Sequence, residues 1–152
     1  FAHHYLEKSD RTIDQMVQAA RSGKQNIAEG AAAGNTSKET EIKLTNVAKA
    51  SLQELLVDYE DFLRVRGLKQ WQPDDARLAQ TKRACAAHND SEYYRKAMPE
   101  RSAETIANIA ITLIHQTDWL LNKLIEKLEI QFVENGGVKE QMTKARKEYR
   151  GY

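Results

Sequence analysis

Two side chains able to hold a metal or move a proton stand three residues apart, at His115 and Asp118, with Trp119 beside them. That spacing puts both on one face of a helix. A metal there needs two further ligands from other helices at the same depth. Di-iron bundles draw a Glu-x-x-His motif from each of two helices, and no Glu stands three residues before any His in this chain. His3 and His4 read as a mobile N-terminal pair. Cys85, the only cysteine, has no His and acid partner spaced to activate it and reads as a buried, inert thiol. Neither a Gly-rich phosphate loop nor a Ser elbow is present. The sequence therefore predicts no catalytic residue, no metal and no cofactor, and a metal or small-ligand bundle enzyme ranks third among the readings.

The elements that would carry any site are helical. Gly and Pro together fill 9 of 152 positions, a scarcity that favours helices. Ile13, Met16, Val17, Ala20, Ile27, Ala28 and Ala31 keep a three-and-four spacing, predicting a first helix capped by Ser9 or Asp10 that ends at about Ala33, before Gly34-Asn35. Thr36-Ser37-Lys38-Glu39 reads as a capping box with Thr36 as the cap. The second helix then starts near Ser37, carries the seam Leu44, Ala48, Leu52, Leu55, Tyr59 and Phe62, and ends before Gly67. Pro73 is placed in the first turn of a weak third helix running to about His88, with Asp74 and Asp75 at its positive end. The stretch from Asn89 to Arg101 reads as a loop or broken helix anchored by Tyr93 and Tyr94.

The fourth helix is the clearest. Ser102 caps it, and Ile106, Ile109, Ala110, Leu113, Ile114, Thr117, Leu120, Leu121, Leu124 and Leu128 form its seam until Gly136-Gly137. A short amphipathic tail helix follows at about 138–150, with Val138, Met142, Ala145 and Tyr149 on one face. The expected architecture is all-α: one domain over 1–152, an antiparallel up-down-up-down four-helix bundle at about 9–135, plus the tail. Leu44, Tyr59, Phe62, Trp119 and Ile125 exceed what one such core needs, and Ile111, Trp119 and Ile125 fall off the fourth seam, so self-association is expected.

Lys plus Arg number 23 and Asp plus Glu 22, a net charge of +1, which excludes a histone-like or tail-type nucleic-acid binder. No apolar run reaches the 18 or so residues of a membrane span. Phe1 to Glu7 lacks the basic start and apolar stretch of a signal peptide, and one Cys does not suggest an oxidising compartment, so a cytoplasmic location with no membrane partner is expected.

One motif is distinctive. Arg21-Ser22-Gly23-Lys24-Gln25-Asn26-Ile27-Ala28-Glu29-Gly30, followed by Ser37-Lys38-Glu39 and by Val47-Ala48-Lys49-Ala50-Ser51-Leu52-Gln53-Glu54-Leu55, resembles the four-helix-bundle family named after proteins encoded in 23S ribosomal RNA intervening sequences. Asn-Ile-Ala-Glu-Gly is the most telling string, and the likeness is close from about Ile13 to Leu63. It implies a small bacterial bundle that associates into a ring-like homopentamer without known catalytic activity. A related branch, the accessory variability determinant of diversity-generating retroelements, is a basic pentamer that binds nucleic acid and its reverse transcriptase.

Read from the residues, Asn26 and Glu29 are neighbours on one helix face, and Gly30 lets another helix approach closely. Asn26, Glu29, Gly30, Ser51 and Glu54 are thus expected at a structural junction, with Glu29 accepting N–H groups at the head of the second helix or from a neighbouring subunit. Residues 138–152 carry five Lys or Arg against two Glu, while 102–137 carry two Lys against five acids. Either the tail docks on its own bundle or a neighbour, or Lys139, Lys144, Arg146, Lys147 and Arg150, multiplied in an oligomer, contact phosphates. Arg21, Lys24 and Lys38 are the further candidates for nucleic-acid contact. The leading expectation is a non-enzymatic, homo-oligomeric assembly or adaptor protein working near RNA, DNA or a reverse-transcriptase-like enzyme. The alternative is a direct nucleic-acid-binding accessory protein.

Overall fold

Most helices of this protein begin where a short polar side chain meets a free backbone N–H. In the computed structural model, which describes residues 1–151, seven helical segments follow one another: α1 (Ala2–Tyr5), α2 (Thr12–Ala33), α3 (Lys38–Val65), α4 (Ala76–Ala87), α5 (Ser91–Ala97), α6 (Ala103–Asn135) and α7 (Val138–Arg150). No strand occurs among the described residues. Asp10 opens α2 by accepting from the Thr12 N–H at 2.9 Å, and Ser102 opens α6 by accepting from the Thr105 N–H at 3.2 Å. Among the described residues, no helix is long and apolar enough to cross a membrane.

Several local expectations need correction. The cap of α3 is Ser37, whose Oγ accepts from the Thr40 N–H at 3.2 Å, so the Thr36–Glu39 capping box does not form. Asp75, not Pro73, sets the start of α4: its carboxylate accepts from the Arg77 N–H at 3.0 Å, leaving Pro73 two residues before the cap and outside the helix. The 89–101 stretch is a broken helix, with α5 capped by Asp90 Oδ1 on the Tyr93 N–H at 2.8 Å. The N-terminus holds the short α1, too brief to show periodicity; Ala2 on it and Leu6 just after it are buried.

By contacts the chain divides into two compact units. The first comprises Phe1–Ala20 and Leu52–Thr117, the second Arg21–Ser51 and Asp118–Tyr152. Helices α2, α3 and α6 each give one stretch to both.

The first unit is an apolar core. Ile13, Met16, Leu55, Leu56, Phe62, Leu63, Ile111 and Ile114 are buried together, and Leu63, at 1% exposure, is the largest side chain so enclosed. Burying such a leucine stabilises by about 2 kcal/mol. The Phe1 ring closes one side, its centroid 4.7 Å from that of Phe62 and 5.0 Å from that of Tyr59. Phe62 and Ile111, expected to be surplus, belong to this core, and Tyr59 packs against it.

The second unit is built differently. Its buried positions include Glu41, Thr45, Ala48, Ser51, Leu121 and Leu128, together with Gly23, Gly30 and Gly34. The inward face of α2 therefore runs from Ile13, Met16 and Ala19 onto Gly23 and Gly30, with Gly34 just past its end, while Val17, Ala20, Ala28 and Ala31, expected inside, are exposed. On α6, Leu120 leaves the predicted seam and is exposed.

Candidate functional site

The distinctive motif up to Ser51 lies in the second unit and joins α2 to α3. Serine hydroxyls there carry a directional chain of hydrogen bonds. Ser51 Oγ donates to the Val47 carbonyl, one turn back on its own helix, at 3.2 Å. With that proton committed, the 2.8 Å contact between Ser22 Oγ and Ser51 Oγ has Ser22 as donor. Asn26 Nδ2 then donates to Ser22 Oγ at 3.3 Å and to the Ser22 carbonyl at 2.9 Å. The chain ends on a backbone carbonyl, so its polar groups satisfy one another. This is a fastening between two helices rather than a reactive group.

One to two turns further along, the helices approach at Gly30. A methyl group there would lie 3.4 Å from Leu44 Cβ, 3.5 Å from the Glu41 carbonyl oxygen and 3.6 Å from Thr45 Oγ1. Gly34 is closer still to a neighbour: a Cβ would stand 2.0 Å from Glu41 Oε2. The missing side chain leaves the seat in which the buried Glu41 carboxylate lies, paired with Lys38 Nζ at 3.1 Å. Thr45 Oγ1 donates to the Glu41 carbonyl at 2.8 Å.

Of the motif residues named from sequence, Asn26, Gly30 and Ser51 meet at this junction. Glu29 does not: it is exposed and accepts from Gln25 Nε2, one turn back on its own helix, at 2.8 Å. Within the chain, the role foreseen for it at the head of α3 is filled by Ser37. Glu54 is exposed and lies in the first unit. Arg21 and Lys24 are exposed on α2, and Lys38 is occupied with Glu41. Sequence reasoning missed Glu41, whose one signal is an acid four residues past a cap, a commonplace of helix starts.

Elsewhere in the second unit, Lys49 Nζ donates to Asn122 Oδ1, and Asn122 Nδ2 donates to Asp118 Oδ2 at 3.1 Å. Asp118 is thus engaged through an amide. His115 is exposed. Among the described residues, no group of three or more His, Cys, Asp or Glu is placed to hold a metal ion.

The first unit contains a second polar centre. Asn108, buried on α6, accepts from the Trp71 N–H at 2.8 Å and donates to the Lys69 carbonyl at 2.9 Å and the Glu104 carbonyl at 2.8 Å. One amide thereby latches the segment before α4 onto α6. Asp75 beside it accepts from Arg77 and pairs with Lys69 at 3.4 Å; its hydrogen bonds to Arg77 hold its carboxyl well below the usual range. Arg77 stacks over the Trp71 ring at 4.8 Å.

A cavity of about 210 Å³ lies nearby, lined by Trp71, Cys85, Tyr94 and Ile109 among others. Burial pushes the Cys85 thiol and the Tyr94 phenol up, so the thiol stays protonated near neutrality and is a poor nucleophile. Tyr94 donates to the His88 carbonyl at 2.6 Å, and Tyr93 stacks on the His88 ring at 3.7 Å. Both tyrosines act as the anchors expected of them.

Two surfaces remain without cover inside the chain. On α6, Trp119 is 60% exposed, Ile130 58% and Val133 82%. On α7 no residue is buried, Tyr149 is 94% exposed, and Lys139, Lys144, Arg146, Lys147 and Arg150 all reach solvent. Leu44 and Ile125, expected at a subunit contact, are half-buried. No protein-family profile, curated protein or solved structure matches the chain.

Proposed function

We propose that this protein is a non-enzymatic, homo-oligomeric assembly or adaptor module, with its long helices arranged as an antiparallel up-down-up-down bundle. One observation carries the reading: three large apolar side chains, Trp119, Ile130 and Val133, stand mostly exposed on the α6 stretch of the second unit. Their positions fall within about 60° of one another around the helix, one strip interrupted between Trp119 and Ile130 by the exposed Lys123–Glu126 ion pair. Such a strip marks a protein contact. The polar groups of the motif support the same reading, because the Asn26–Ser22–Ser51 chain is closed on itself. The resemblance to the intervening-sequence proteins suggests a ring of five. Light scattering at micromolar concentration tests it: a mass several times 17.4 kDa is expected, and a clean monomer overturns it.

A second reading, direct binding of RNA or DNA, is favoured by one feature, the five exposed cations of α7. Phosphate contacts make affinity fall steeply with salt. Filter binding at two salt concentrations separates the readings, since an assembly module without a nucleic-acid site gives no salt-dependent retention at either.

A further inference from the structure

We infer that α7 is an exchange arm, docking its Val138–Met142–Ala145–Tyr149 stripe on the Trp119–Ile130–Val133 face of α6 in a second copy of this chain. The inference rests on the homo-oligomeric reading and specifies its contact.

The arm needs a partner. A helix of 13 residues is at the length where isolated helices are marginal in water, and packing of an apolar face supplies most helical stability in proteins. Here the stripe spans about 60° of the helix surface and about 16 Å of its length, yet every α7 residue is exposed.

The same chain does not cover it. Gly136 turns the backbone with a φ of 71°, and a Cβ at Gly137 would lie 3.3 Å from the Phe132 ring and 2.9 Å from Glu140. Gln141 Nε2 reaches back to the Gly136 carbonyl at 3.3 Å. The junction thus sets the direction of the arm, which leaves Tyr149 in solvent.

The α6 face matches the arm in chemistry and size. Trp119 and Ile130 are separated by about 16 Å along the helix, the same length as the stripe. Residues 118–135 carry four acids against two lysines, whereas 138–150 carry five cations against two acids. On α7, Lys139, Arg146 and Arg150 share one edge of the stripe; on α6, Glu126 lies within the apolar face and Glu129 and Glu134 flank it. Opposite charge around matched apolar strips favours this pairing over two like surfaces meeting. Every copy carries both surfaces, and because arm and face differ, the contact is head-to-tail. It closes either as a mutual exchange between two chains or as a ring.

A charge exchange on the full chain tests the arm. The arm variant carries Lys139→Glu, Arg146→Glu and Arg150→Glu; the face variant carries Glu126→Lys, Glu129→Lys and Glu134→Lys. All six positions are exposed, and circular dichroism checks that each variant keeps its helix content. In light scattering, each variant alone should fall from the parent mass towards 17.4 kDa, and an equimolar mixture should reassociate into an even-numbered alternating assembly, at the parent mass where the parent has an even number of copies, because the reversed arm then meets the reversed face. Parent mass retained by both variants, or a mixture that stays dissociated, overturns the arm while leaving the assembly reading standing. A monomeric parent overturns both. An arm variant that keeps its mass but no longer binds a single-stranded oligonucleotide overturns the docking in favour of phosphate contact.

Discussion

The two units of this chain use the same helices to opposite ends. The stretches of α2, α3 and α6 in the first unit bury Met16, Leu56, Leu63 and Ile114, so close packing of large side chains excludes water. In the second unit the same helices bury glycines, a threonine, a serine and a carboxylate beside Leu121 and Leu128, while Trp119, Leu120, Ile130 and Val133 face outward. A protein whose hydrophobic surface is spent on its own core stands alone. Under the assembly reading proposed above, a unit that holds its helices together with small residues and hydrogen bonds keeps exposed apolar side chains for a second copy.

The sharpest test of that contrast compares a leucine from one unit with a valine from the other. Leu63→Ala removes a side chain that is 1% exposed and should cost about 3 kcal/mol by denaturant unfolding, from lost transfer energy plus a cavity. Val133→Ala should change the stability of the dissociated chain by less than about 0.5 kcal/mol, yet lower the oligomer mass. A costly Val133→Ala with mass unchanged would make α6 an ordinary core element there.

Next in size is the latch of the first unit. Asn108→Ala leaves the Trp71 N–H and the Lys69 carbonyl without their partner, and a buried unsatisfied group costs about 1–3 kcal/mol. Faster amide exchange at Trp71 should accompany the loss. Unaltered exchange would show that the segment is held by Arg77 and the Trp71 ring alone.

The glycine junction gives a pair of changes with opposite signs. At Gly30 the nearest atoms allow a methyl group at ordinary contact, so Gly30→Ala should gain about 0.5–1 kcal/mol of helix propensity. Gly30→Leu should lose about 1–3 kcal/mol through overpacking. Equal thermal midpoints for the two variants would mean that α3 does not press on Gly30.

The contrast also explains what could be read in advance. Long helices announce themselves by period, so α2, α3, α6 and α7 were legible to within a residue or two. The inward face of α2 was legible only at Ile13 and Met16: Val17 and Ala20, read as inward, are exposed and Ala19 is buried instead, and hydrophobic patterning cannot see a continuation made of Gly23 and Gly30. The Asn26–Gly30 string and Ser51 pointed to the junction; of the two places read for Glu29, the head of α3 is taken by Ser37 and a neighbouring subunit is the other. Asn108 meets Trp71 across 37 positions, and nothing local to either residue encodes that pairing. The four residues of α1 are too few for any period, and Phe1 gains its place only from the rings of Tyr59 and Phe62. Nearest-neighbour chemistry chose between candidate caps, as at Asp75 over Pro73.

The smallest expected effect concerns that cap and its charge. Asp75 accepts from the Arg77 N–H and guanidinium and pairs with Lys69, and these contacts lower its pKa from the ordinary 3.8. A depressed folded-state pKa contributes stability that is fully present above the unfolded value and is lost as pH falls through the folded one. Asp75→Asn is the suitable probe, because Asn caps a helix as well as Asp does while removing the charge that Arg77 and Lys69 share. Near neutral pH the parent should melt at a higher temperature than Asp75→Asn. As the pH drops below about 4, the unfolded-state aspartate protonates and the two melting curves should draw together. A gap independent of pH would assign the role of Asp75 to the cap alone. A gap that widens in acid would mean that the neutral acid, not the carboxylate, fits this site.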